Sequence, residues 1–220
     1  LFLFSARASH STNESSILVH GVTTLDGELY ILKNVTSNSI DVYDTLNYAL
    51  QRQIDVPDIV GTTDITACWL NHCLYISDHL TNYIHRIEKQ GRVTQWPLND
   101  TPQGLSVTPD HNLLVTCNEA RKLKEFTSVG ELVREIFLEP DVVHPLRAAL
   151  LTSGQFVVCH GDVSDPVHRV VIVGADGRTR QSYGGPPGPS LTQLYTPVRI
   201  AVDKDGFILV ADYCNRRVLV

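Results

Sequence analysis

Apolar and polar residues alternate in short runs along most of the chain, and each run ends at a cluster of turn-forming residues. The clearest phrase covers residues 197–218: Pro197-Val-Arg-Ile-Ala-Val-Asp203, a turn at Asp205-Gly206, Phe207-Ile-Leu-Val-Ala-Asp212, a polar loop, and Arg217-Val218. It predicts a strand, a hairpin, a strand, a loop and a strand. Asp-Gly between alternating runs predicts a type I′ turn, which needs positive φ at both central residues. Weaker copies lie upstream, with second strands starting at Leu29, Leu74, Leu113, Phe156 and Ile208, a spacing of 39–52 residues. First strands are predicted at 22–25, 65–68, 105–107, 148–151 and 200–202, and third strands at 39–43, 83–88, 122–126, 169–173 and 217–220. The first four units continue into a fourth strand, for example at 91–96 and 177–183. No window has helical period. A strand repeat of this length predicts an all-β propeller of four-stranded antiparallel blades. Five blades are readable, at about 20–60, 61–99, 100–140, 141–185 and 186–220, the last incomplete.

The phrase Val210-Ala-Asp-Tyr-Cys-Asn-Arg-Arg-Val218, preceded by Pro197-Val-Arg-Ile-Ala-Val-Asp203, resembles the NHL repeat. That repeat builds the propellers of tripartite-motif proteins and of several secreted or enzymatic proteins. The second unit shares Tyr75-Ile-Ser-Asp78 and Asn82-Tyr-Ile84, whereas the first, third and fourth have drifted. The resemblance covers residues 20–220 and implies a ring commonly of six blades. It also implies an upper loop face that binds a protein partner or, in some relatives, single-stranded RNA.

Composition narrows this picture. The chain of 220 residues has no methionine, and Val220 falls inside a predicted third strand, so the sequence reads as a fragment, with the remainder of the ring expected beyond it. Within an N-terminal segment at 1–19, Leu1-Phe-Leu-Phe4 is expected to act as a ring-closing strand; the alternative is the tail of a signal peptide ending at Ala6-Arg-Ala8. A net charge of −6 disfavours a general nucleic-acid coat. No apolar run approaches the roughly 18 residues of a membrane span, so a membrane is not an expected partner, and the acidic balance makes DNA an unexpected one as well. Five cysteines form no even disulfide set. Cys68, Cys117 and Cys159 fall on inner strands as buried thiols, and Cys68 and Cys73 flank a turn holding His72, one ligand short of a zinc site. Sequons at Asn13, Asn34 and Asn99 point towards secretion, while the free thiols favour the cytoplasm.

Catalytic signatures are lacking: there is no Gly-x-Ser-x-Gly elbow and no phosphate loop. The run Gly184–Pro189 is rich in proline, which has no amide to donate, and reads as a connection between blades. Aligned on the second strands, the channel positions are His20, Ile65, Gly104, Arg147 and Arg199, a ring with neither a carboxylate nor a histidine cluster. No metal, cofactor or enzymatic activity is expected, and a propeller hydrolase or lyase is the remote alternative. Two arginines on adjacent blades suit an anion, or else pair with a local acid such as Asp203. The candidate binding residues of the upper face are Arg147, Arg199, Arg216, Tyr213, His20, Arg121 and Lys122. Asp78 with Asn82, and Asp212 with Asn215, read as caps of their own loops. Trp69 and Trp96 read as blade-packing residues. The expected function is a non-enzymatic scaffold presenting its upper loops to a protein or peptide. The alternative is single-stranded RNA binding by a basic patch on that face.

Overall fold

A computed structural model describes residues 18–34 and 39–220, so the expected ring-closing strand at Leu1–Phe4 lies outside the described residues. Every described regular element is a strand, and each sheet is antiparallel with its strands in sequence order. Blade one holds β1 (Leu18–Leu25), β2 (Glu28–Asn34), β3 (Ser39–Asp44) and β4 (Leu50–Asp55). Blade two holds β5 (Thr62–Cys68), β6 (Cys73–Asp78), β7 (Tyr83–Glu88) and β8 (Val93–Pro97). Blade three holds β9 (Pro102–Val107), β10 (Leu113–Cys117), β11 (Lys122–Phe126) and β12 (Leu132–Phe137). Blade four holds β13 (Pro145–Leu150), β14 (Phe156–His160), β15 (His168–Val173) and β16 (Thr179–Gly185). Blade five holds β17 (Pro197–Val202), β18 (Ile208–Asp212) and β19 (Arg217–Leu219). The described residues thus form five consecutive blades of a propeller, the fifth with three strands.

Burial follows position in the blade. β6, β10 and β14 are buried on both faces, because each second strand is covered by the blades before and after it. The outermost β4 is almost wholly exposed. Four apolar clusters fill the spaces between consecutive blades. Ile40, Val42, Ile65 and Ile76 seal blade one to blade two, and Tyr75, Ile84, Leu105 and Val115 seal two to three. Leu123, Phe156 and Val158 lie between three and four, and Val157, Val170, Ile200 and Val210 between four and five.

The first strands begin about three residues before their apolar runs, and three of them start at a proline: Pro102, Pro145 and Pro197. A first strand residue that donates no ladder bond is where proline is tolerated. The turns differ from expectation at the most conspicuous site. In blade five Val202 pairs with Ile208, and the connection is a turn closed by the Gly206 N–H donating to the Asp203 carbonyl, with Gly206 alone at positive φ of 87°. The Asp203 carboxylate accepts from the N–H groups of Asp205 and Phe207, which fixes this wider turn. The two-residue turn with positive φ at both centres occurs instead in blade one, at Asp26 (50°) and Gly27 (79°).

Candidate functional site

One end of the propeller carries the loops between second and third strands and the linkers between blades, and the starts of the first strands lead down from it into the channel. In blades two and five the upper loop is tied to the linker ahead of its blade. In blade two the buried Asp78 carboxylate accepts from the N–H groups of Val60 (2.7 Å), Gly61 (3.0 Å), Leu80 (3.1 Å) and Thr81 (3.2 Å). Burial pushes this carboxyl up, but the hydrogen bonds from Val60, Thr81 and Gly61 outweigh it and hold the pKa below the ordinary range. In blade five Asp212 accepts from the Tyr195 N–H (2.6 Å), Asn215 (2.8 Å) and Arg217 (2.8 Å), and Arg217 also donates to the carbonyls of Pro189, Ser190 and Gln193. The Asx residues therefore cap loops and linkers, as the sequence suggests.

In blade four a histidine ties the upper loop to the linker that follows the blade. The His168 ring accepts from the Thr196 N–H at Nδ1 (2.8 Å), so Nε2 carries the proton and donates to the Asp165 carbonyl (3.0 Å). His160, at the position of Asp78 and Asp212, is fully buried, and burial pushes its pKa down to about 4. Burial likewise lowers His85 on β7. A histidine that stays neutral in the fold but takes a proton when unfolded weakens the fold as pH drops from its unfolded pKa, about 6.5, towards the folded one. Between pH 7.5 and 5.5 His160 alone should remove about 1 kcal/mol, taking its folded pKa of about 4. Thermal melts across this window should show the decline, and His160→Gln should flatten it. A wild-type melting temperature constant from pH 7.5 to 5.5 would show that His160 is readily protonated in the folded protein.

The channel holds the principal surprise. The Arg147 guanidinium on β13 donates through Nη1 to Oδ2 of Asp64 on β5. The same Oδ2 accepts from the Leu105 N–H of β9 at 2.8 Å. Arg199 on β17 lies 3.6 Å from Asp64 Oδ1 and donates through Nη2 to the carbonyls of His20 on β1 (2.8 Å) and Thr63 on β5 (3.1 Å). Groups from β9, β13 and β17 thus converge on one carboxylate of β5, and Arg199 joins β1 to them; the Asp64 side chain is only 2% exposed. Burial lowers the Arg147 pKa, with Asp64 opposing that and the neighbouring Arg199 adding to it. Neither arginine pairs with Asp203; the acid they share comes from blade two, across the channel.

This acid was hidden by turn length. The first hairpin has two connecting residues in blade one, four in blade two and five in blades three to five. Counting back from the second strands slips by one in blades one and two. The true ring is Gly21, Asp64, Gly104, Arg147 and Arg199, following a bulge in each first strand. His20 is thus corrected to the position before the ring, where its Nδ1 bonds the Thr62 carbonyl at 2.6 Å. A Cβ at Gly104 would stand 2.3 Å from the Leu146 carbonyl, so only glycine lets β13 come this close.

The remaining candidates lie on the loops. Arg216 and Tyr213 are exposed at the tip of the blade-five loop, Tyr213 by 67%. Arg121 donates to the Pro140 carbonyl at 3.4 Å. Lys122 pairs with Asp100 at 3.4 Å and covers the Phe137 ring, while Lys124 is held by Asp100 (2.6 Å) and Glu135 (3.0 Å). The basic run on blade three is thus largely neutralised in place. Exposed apolar residues were missed as candidates: Val60 and Leu80 on blade two, where Leu80 lies over Gly61, and Val163 on blade four. Trp69 lies outside the core but still packs on the neighbouring blade. It is 66% exposed at the opposite end and meets His111 edge-on, whereas Trp96 packs on Tyr75 and Phe126 as expected.

All five thiols are free, and burial pushes Cys117 and Cys159 up to about 12, which makes them poor nucleophiles. His72 pairs with Asp26 at 2.9 Å, not with Cys68 or Cys73. Among the described residues no three histidine, cysteine, aspartate or glutamate side chains gather into a metal-binding group.

Residues 194–220 match the NHL repeat family, a match that covers the fifth blade and the linker leading into it. No curated protein sequence matches the chain. Among solved structures, virginiamycin B lyase from Staphylococcus aureus, in a catalytically inactive form with quinupristin, is similar at 15% identity and a TM-score of 0.67, over 91% of this chain and 65% of that one. Hydrazine synthase from Kuenenia stuttgartiensis is similar at 18% and 0.68, over 94% and 58%. A chain of a nidogen/laminin complex is similar at 15% and 0.68, over 91% and 74%. The chain therefore spans about 65% of the length of the lyase, and at these identities the likeness is one of fold. The chain is a β-propeller whose fifth blade carries an NHL repeat.

Proposed function

We propose that this propeller is a non-enzymatic scaffold whose upper loop face holds a protein partner. The supporting observation is the contrast between the loop tips and the groups beneath them. Val60, Leu80, Val163 and Tyr213 expose apolar surface on blades two, four and five, while the charges below them are paired within the fold. Exposed apolar side chains rimmed by polar groups suit a protein interface. Single-stranded RNA would instead need unpaired basic groups beside stacking rings. Arg216 beside Tyr213 is one such pair, but Lys122, Lys124, Arg147 and Arg217 have acidic partners. A neighbour in fold occurs in a nidogen/laminin complex, which fits a propeller used as a protein-binding module. Within this reading Arg216, Tyr213 and Arg121 contact the partner directly, and Lys122 supports the rim.

Affinity capture from nuclease-treated native lysate tests the proposal. Wild type and Trp69→Asp, altered at the opposite end, should recover the same partner, and Leu80→Asp/Tyr213→Asp should lose it. Loss of the partner through Trp69→Asp, with the upper-face variant unaffected, would move the interface to the other end. Retention by all three, or recovery of RNA without protein before nuclease treatment, would overturn the proposal.

A further inference from the structure

Among the described residues two guanidinium groups and one carboxylate meet in the channel, with one positive charge in excess at a partly buried point. The hydrogen bonds are also incomplete. Among the described residues the Arg147 guanidinium holds Asp64 through Nη1 and makes no other hydrogen bond, so its Nε and Nη2 are uncommitted. Arg199 spends Nη2 on His20 and Thr63 and one proton of Nη1 on the Val198 carbonyl, leaving Nε and the second Nη1 proton. Neither side chain is sealed: Arg147 is 16% and Arg199 29% exposed, against 2% for Asp64. The carboxylate is therefore the most buried member of the cluster, and both guanidinium groups keep donors that it does not use. Among the described residues no second acid stands in the ring, where the other positions are Gly21 and Gly104.

We infer that the channel between Arg147 and Arg199 is a binding site for one further carboxylate group, held by the donors that Asp64 leaves uncommitted. A guanidinium presents paired N–H groups that match a carboxylate edge, and a low-dielectric channel strengthens the attraction. The carboxylate belongs either to a free small acid or to an acidic side chain inserted from a partner. The inference stands apart from the scaffold reading, because a free acid would use the same donors.

Formate is the probe for the free acid and a blocked hexaglutamate peptide for the inserted side chain. Each is titrated against the intact chain at constant ionic strength, with fluoride as the balancing salt, and followed by melting temperature. A ligand that binds only the folded state raises stability with the logarithm of its concentration above Kd. Wild type should show a saturating rise with formate. Arg199→Gln should lose the rise, and Arg147→Lys, which keeps the charge without the fork, should weaken formate binding roughly tenfold. Asp64→Asn removes the internal competitor and should tighten binding roughly tenfold. Peptide binding much tighter than formate identifies a partner's side chain as the source, and binding of formate alone identifies a free acid. A flat wild-type response, an equal response in all variants, or saturation only in Asp64→Asn would overturn the site, the last because Asp64 would then fill it completely.

Discussion

Asp64→Ala should destabilise the propeller by about 2–4 kcal/mol, a large loss for one polar residue. The change strips Arg147 of its ion-pair partner, takes the nearest acid from Arg199 and orphans the Leu105 N–H. Removing one member of a buried pair generally costs 3–5 kcal/mol, and the lower range allows for the water that reaches Arg147 and Arg199. Asp64→Asn should cost less, because the amide oxygen can still accept from Leu105. Chemical denaturation of both variants measures the difference. If alanine costs under half a kilocalorie, the channel ion pairs are no more than surface contacts.

A loss of similar size is expected for Asp78→Ala, by a different mechanism. Four backbone N–H groups converge on this carboxylate, two from the linker and two from the loop. Each buried donor left without an acceptor costs about 1–3 kcal/mol, and water entering at the loop end will satisfy some of them, so about 2–4 kcal/mol in total is expected. Local consequences distinguish this variant from Asp64→Ala. Amide exchange should accelerate at Val60, Gly61, Leu80 and Thr81, while exchange in blade four stays unchanged. Faster exchange spread evenly over the whole chain would show that Asp78 acts globally. The carboxyl is held below its ordinary pKa, so its contribution is present above the unfolded value near 4 and is lost as pH falls through the folded one. Acid loss from Asp78 therefore falls below the histidine window between pH 6.5 and 4.

The propeller was legible in the sequence because its strongest signals come from second strands. Residues such as Leu113-Leu-Val-Thr-Cys117 are buried on both faces and so carry unbroken apolar runs. Third strands were placed almost to the residue, since their polar turns bracket them. First-strand starts were less visible, because Thr62-Thr-Asp64 and Pro102-Gln-Gly104 carry channel chemistry in place of apolar pattern. Loop caps could be read from Asp78 and Asp212 because an Asx residue at a loop start acts locally. The channel cluster could not. Arg147 and Asp64 are 83 positions apart, and their meeting depends on bulges and on hairpin lengths that differ by single residues. Trp69 is more exposed than its size suggests because it sits in the four-residue turn of blade two, where its ring meets His111 of blade three edge-on.

The arrangement makes one demand above all, that blades two and four touch across the channel through Asp64 and Arg147. A double-mutant cycle with Asp64→Asn and Arg147→Gln, read by denaturant unfolding, measures that contact directly. Residues in one ion-pair network couple by about 0.5–3 kcal/mol, and the double variant should be less destabilised than the sum of the singles by about 1–2 kcal/mol. Strict additivity, within about 0.5 kcal/mol, would mean that the two side chains do not meet and that the first strands are not gathered around Asp64.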